Sequence, residues 1–170
     1  MKKLMWIQGF IPEDLNRRIV DLCNRNNDLD LSDRFLIYPL HVSLKRTFVY
    51  GKFDEISDTV KEVLGRHDIF MCRGLRPYRV DNMLWLLFDY DEELIKIHED
   101  LDKTLAEKHD VAVDKFDLNY LPHISLFHDK DIVKLDEMGN RLSEISYESF
   151  VVDRVAIGSK DRENELIRLR

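Results

Sequence analysis

The sequence predicts a mixed strand-and-helix fold built twice along one chain of 170 residues. Two observations carry this. The stretch "YPLHVSL" (38–44) returns 82 residues later as "YLPHISL" (120–126), with Tyr, His, Ser and Leu in the same places. The segments around each stretch also follow one order: strand, helix, His-bearing strand, helix, strand.

In the first half, "LMWIQGF" (4–10) is an apolar run of strand length. Pro12 then stands at a helix first turn, followed by Glu13 and Asp14, which suit the positive helix end. Leu15, Ile19, Leu22 and Cys23 recur at helical spacing, and "NRNNDLDLSD" reads as a polar loop. Residues 35–50 form one long strand. Ile56, Val60, Val63 and Leu64 mark a second helix closed by Gly65. A short strand covers 68–72, and "RGLRPYRVDN" reads as a turn-rich, basic connection.

The second half repeats the order. "MLWLLFDY" (83–90) is a strand, and Asp91 caps a helix whose apolar face is Leu94, Ile97, His98, Leu101 and Leu105. Residues 120–127 are the second His strand. Ile132, Leu135, Met138, Leu142 and Ile145 define a fourth helix. One strand over 150–157 and another over 165–169 close the chain. A single domain over 1–170 is expected, with one repeat over about 1–80 and the other over about 81–170.

Bulk properties narrow the function. Hydrophobic residues at 44 % suffice for a packed core. No segment approaches the roughly 18 apolar residues of a membrane span. The opening "MKKLMWIQGFIPED" has no small-residue cleavage site and reads as a buried strand running into a helix. Cys23 and Cys72 form no framework and no CxxC pair, so a reduced, cytoplasmic protein is expected. A net charge of -7 argues against coating long duplex nucleic acid, but leaves room for a small phosphate ligand in a locally basic cleft.

Alternation on a strand puts His41, Ser43 and Lys45 on one face, and His123, Ser125 and Phe127 on one face in the second copy. Val42, Leu44, Ile124 and Leu126 then point into the core. A pseudo-two-fold arrangement would bring two imidazoles and two hydroxyls over one cleft. One neutral His accepts a proton while a protonated one donates. The serines donate to non-bridging phosphate oxygens, and the scheme requires no metal. Lys45 either neutralises phosphate charge or is an ordinary solvated lysine. Phe127 either stacks on a base or packs at the edge of the core. Tyr38 and Tyr120 fall on the opposite face as packing or rim residues. Arg73, Arg76 and Arg79 are either a substrate-gripping stretch or a solvated loop.

The other histidines serve as a control. Two positions after His67, His98, His109 and His128 stand Ile69, Asp100, Val111 and Lys130, never Ser. His98 reads as packed on its helix, His67 and His109 sit at helix C-termini, and His128 follows the second motif. No metal-ligand spacing links the four, and no GxSxG elbow is present.

"HVSL" and "HISL", each flanked by hydrophobic positions, resemble the duplicated signature of the two-histidine phosphoesterase superfamily, specifically its LigT-like, 2'-5' RNA ligase group. The order of elements is similar along nearly the whole chain. That resemblance implies a bilobed α+β fold of antiparallel sheets with flanking helices around a central cleft. It also implies metal-free phosphodiester chemistry without cofactor, on a nucleotide or short RNA with a cyclic or 2',5' linkage. By the same resemblance His41 is the proton donor and His123 the acceptor. A monomer is expected. Two other readings stay open: hydrolysis of small cyclic oligonucleotide signals, and non-catalytic capture of RNA ends or nucleotides.

Overall fold

The computed structural model describes residues 2–31, 33–34, 39–145, 148–160 and 162–170. Tyr38 and the start of the expected strand over 35–50 lie outside the described residues. The elements in chain order are β1 (Lys3–Phe10), α1 (Glu13–Arg25), β2 (Asp33–Arg34), β3 (His41–Tyr50), α2 (Phe53–Leu64), β4 (Phe70–Val80), β5 (Met83–Tyr90), α3 (Glu92–His109), β6 (Ile124–His128), α4 (Ile132–Arg141), β7 (Phe150–Val152), β8 (Arg154–Ser159) and β9 (Arg162–Arg168). The fold is α+β. Its strands form two sheets, ordered β3-β1-β8-β9 and β2-β6-β5-β4-β7, and all pairings are antiparallel.

The two sheets match over four strands, with β2 an extra edge strand in the second. β3 beside β1 corresponds to β6 beside β5, and the next strands, β8 and β4, also correspond. The strand that completes each trio comes from the other half of the chain. β4, from the first half, pairs with β5; β8, from the second half, pairs with β1. The sequence pattern thus repeats about residue 80, while each sheet draws on both repeats. Helices α2 and α3 pack together, with α3 against β3, while α4 lies on β4 and β5. The buried sides of the two sheets meet at Gly9, where an added Cβ would come within 2.9 Å of Val152 Cγ1 and 3.4 Å of Phe70.

Several segments differ from the sequence reading: the second His strand begins only at Ile124, and the fourth helix ends at Arg141, followed by a 3-10 turn over Leu142–Ile145. The stretch "RGLRPYRV", expected as a connection, continues β4 as strand to Val80. Gly74 takes φ +63° at a register shift between Arg73 and Arg76, a bulge that absorbs the turn-like residues. Pro77 is tolerated because β7 covers only Phe70–Cys72, so that edge of β4 is open where the missing N–H would point. The strand expected over 150–157 is divided at Asp153: β7 belongs to one sheet and β8 to the other. Among the described residues, no helix is long and apolar enough to cross a membrane.

Candidate active site

His41 opens β3, and His123 immediately precedes β6. These two strands touch across the join of the sheets. Tyr120, three residues before His123, donates its hydroxyl to Ser43 O at 2.8 Å. Burial first, and to a lesser extent the charge of His123, lowers the basicity of His41. The structure therefore gathers His41, Ser43 and the His123 segment at one place.

Both imidazoles are tethered alike. His41 Nδ1 donates to Pro39 O at 3.3 Å, and His123 Nδ1 donates to Leu121 O at 2.7 Å. A carbonyl only accepts, so each tether keeps the proton on Nδ1 and leaves Nε2 as the atom that exchanges protons. Burial is the main cause that pulls both histidines below their ordinary range; each carbonyl contact acts in the opposite direction.

The neighbouring strand supplies the same position in each half. Gln8 on β1 stands opposite Ser43, and Trp85 on β5 stands opposite Ser125. Each reaches its histidine by a different contact. Gln8 Nε2 lies 2.9 Å from His41 Nε2, so its amide N–H donates to the imidazole lone pair. The Trp85 indole lies flat against the His123 ring, with centroids 3.7 Å apart and planes 15° apart. Neither residue was singled out by sequence reasoning. The available signal was Gln8 itself, an uncharged polar residue inside an apolar strand.

Lys45 and Phe127, expected beside the serines on the open face, are turned inward. Their exposures are only 2 % and 1 %. The reason is a bulge shared by both copies. Gln8 pairs with Ser43 but Ile7 pairs with Lys45; Trp85 pairs with Ser125 but Leu84 pairs with Phe127. Leu44 and Leu126 are the extra residues, and one extra residue moves everything beyond it to the other face. Phe127 joins the core.

Lys45 instead anchors a buried charge cluster. Its Nζ lies 2.8 Å from Asp102 Oδ1 and 2.5 Å from Asp117 Oδ2. His98 Nδ1 lies 2.8 Å from Leu44 O and its Nε2 lies 3.1 Å from Asp117 O. Tyr120 stacks on the same ring at 3.8 Å. His98, Asp102 and Asp117 bring potential metal-ligand atoms within 4.8 Å of one another. The cation they enclose is the Lys45 ammonium, and both His98 nitrogens are directed at carbonyls. Burial pushes the Asp102 carboxyl up, against the pull of Lys45. The cluster ties the segment leading to His123 onto the backbone of β3, next to Ser43.

The remaining sequence candidates have ordinary partners. Arg73 pairs with Asp91, Arg76 with Asp89 and Arg79 with Asp136. His67 bridges Glu93 and Asp100 at 2.7 and 2.9 Å. His109 contacts Thr59 Oγ1 and the Tyr50 hydroxyl. Asp91 stands at the start of α3, but its carboxylate accepts from Met71 N and Arg73.

The 2'-5' RNA ligase superfamily model matches residues 12–164. The chain belongs to the 2'-5' RNA ligase superfamily. Solved structures of similar fold include Escherichia coli LigT in its apo form (TM-score 0.65, 12 % identity, covering 100 % of this chain and 96 % of that one). A protein described as a phosphoesterase is similar (TM-score 0.66, 13 % identity, 99 % and 96 % covered), as is TT0787 of Thermus thermophilus (TM-score 0.61, 13 % identity, 98 % and 95 % covered). LigT has also been crystallised with 3'-AMP, ATP and NADP+. No curated protein matches the sequence. For this member of the superfamily, the duplicated His-x-Ser frames thus lie on the two strands that meet between its sheets.

Proposed function

We propose that the protein is a metal-independent phosphodiesterase acting on 2',3'-cyclic phosphates or 2',5' linkages of nucleotides and RNA ends. His41 and His123 are its acid/base pair, and Ser43 and Ser125 donate to the phosphate. The observation that carries this reading is the matched tethering of two imidazoles through Nδ1 on neighbouring strands, which leaves two Nε2 atoms for proton transfer. LigT has been crystallised with nucleotides and with phosphate, in keeping with a nucleotide substrate.

The contacts around each ring support a division of roles. Gln8 donates to His41 Nε2 and so favours the neutral ring. The π-face of Trp85 against His123 favours the cation. His41 is then the base and His123 the acid, the reverse of the order that the resemblance implies. In opening a cyclic phosphate, His41 Nε2 takes a proton from water as the water oxygen attacks phosphorus. One P–O bond to the ribose breaks, and His123 Nε2–H protonates the departing oxygen. In a 2',5' linkage the ribose 3'-hydroxyl attacks instead, the 5'-oxygen leaves with the proton from His123, and a 2',3'-cyclic phosphate forms. The reverse of that step makes the linkage.

The test is incubation with 2',3'-cyclic nucleotides, 2',5'-linked oligomers and cyclic dinucleotides, with and without EDTA, and phosphorus NMR of the products. Conversion of either of the first two classes, unchanged by EDTA, is expected. Conversion of cyclic dinucleotides alone favours a signal hydrolase, and binding without turnover favours a capture module. A substrate whose leaving group needs no proton separates the roles. His123→Ala is rescued on it and His41→Ala stays inactive; the opposite pattern restores the order implied by resemblance.

A further inference from the structure

A cavity of about 390 Å³ opens beside the His123 segment. Leu121 and Pro122, directly before His123, form one wall. Leu87 and Tyr90 of β5 and Arg76 of β4 form the others, with Asp89 on the rim. The register connects this cavity to the site. Ser125 stands opposite Trp85 and Ile124 opposite Leu86, so β5 brings Leu87 alongside His123, and Arg76 is paired with Leu87 on the far side. Leu121 and Tyr90 are 47 % and 37 % exposed, so apolar surface is presented to the opening.

The lining has a definite chemistry. A volume of this size lies within the range of small-ligand sites. Leucine and tyrosine side chains offer flat apolar contact to a planar ring. A guanidinium stacks on such a ring face and also donates hydrogen bonds in its plane. Arg76 is held by Asp89 at 3.1 Å and by Gly74 O at 3.3 Å, which directs it along the cavity wall. The Asp89 carboxylate accepts from amino groups. An apolar slot with one planar cation and one carboxylate suits a nucleobase.

We propose that this cavity binds the leaving nucleoside of a 2',5'-linked substrate, the one whose 5'-oxygen is protonated by His123. This rests on the function proposed above, because the acid stands on the side from which the leaving group departs. It extends that reading to a substrate with a nucleoside on each side of the phosphorus.

The experiment compares 2',5'-linked diadenylate with adenosine 2'-methyl phosphate. Both undergo the same attack by the 3'-hydroxyl, but the second loses methanol and has nothing to fill the cavity. The wild-type protein should prefer the dinucleotide in kcat/KM. Arg76→Ala and Leu121→Ser, both at exposed positions, should each reduce that preference about tenfold, a loss typical of one stacking contact. A preference unchanged in both variants, or none in the wild type, overturns the cavity assignment. Equilibrium binding of the same two compounds supplies a readout independent of turnover. If neither compound is cleaved, the 2',5'-cleavage part of the proposed function fails by itself. The cavity assignment then stands if the dinucleotide binds more tightly and Arg76→Ala removes the difference, and falls if it does not.

Discussion

The surroundings of His41 and His123 differ far more than their backbones. Each histidine has its Nδ1 bound to the carbonyl two residues earlier, a serine two residues later and a bulge at the leucine after that. Beyond that frame the halves part. An amide contacts one ring and an indole covers the other. After the bulge, one copy buries a lysine among carboxylates and the other buries a phenylalanine in the core. Duplication kept the geometry that presents two Nε2 atoms and let the neighbours diverge. On the proposed acid/base reading, the difference between Gln8 and Trp85 favours one proton acceptor and one proton donor.

The comparison can be broken most forcefully at the rings. Replacing either histidine by Ala should lower kcat by about 10²–10⁴-fold, the usual contribution of a positioned acid or base. Steady-state kinetics on the preferred substrate check this, and a mild loss in one variant would remove the pairing. Next comes the residue after the bulge. Lys45→Met leaves Asp102 and Asp117 buried without their cation, and should cost about 3–5 kcal/mol in urea unfolding. Phe127→Leu, in the equivalent place, stays apolar and loses only part of the ring's volume, and should cost about 1–2 kcal/mol. Equal losses would mean that the cluster is no more demanding than ordinary core.

Smaller effects sharpen the assignment of roles. Trp85→Leu removes support for the His123 cation, worth about 0.5–2 kcal/mol. It should move the descending limb of the kcat/KM profile to lower pH. Gln8→Leu removes a donor that favours neutral His41 and should move the ascending limb to higher pH. A shift of the same limb in both variants would reverse one of the assignments. Because burial lowers both histidines, the wild-type maximum should lie on the acid side of pH 6.5.

The gentlest test is stability itself. Both histidines are less basic folded than unfolded, so below about pH 6.5 the unfolded chain binds more protons. Stability should fall as pH drops from 6.5 through the folded values and be insensitive to these groups above it. Urea midpoints at several pH values check the sign, and His123→Gln should flatten part of the slope.

Much of this was legible in the sequence because it rests on local repetition. The frame around His41 and His123, the buried faces of the first three helices and the "MLWLLFDY" strand are periodic signals that tertiary packing left unchanged, whereas Ile132 of the fourth helix is exposed. Lys45 and Phe127 were misplaced for one shared reason. A bulge has no residue signature in "HVSLK" or "HISLF", and its effect is to invert the alternation on which the reading relied. The basic stretch "RGLRPYRV" was hidden by Gly74 and Pro77, whose usual meaning as breakers is cancelled by a bulge and an open edge. Gln8 and Trp85 depend on which strand lies beside which, a fact of register and not of composition.

The strand exchange between the halves has a consequence for the order in which the molecule is made. β1 is synthesised long before its second neighbour, β8, which begins only at Arg154, so Met5 must wait for Ser159. The N-terminal sheet therefore cannot close on the ribosome while the first half alone has emerged. β1 and β3 would stand as an antiparallel pair with one open edge until β8 is out. Contacts of such long sequence separation are slow to form. The interval before β8 arrives is when this chain is most open to aggregation or to the help of a chaperone.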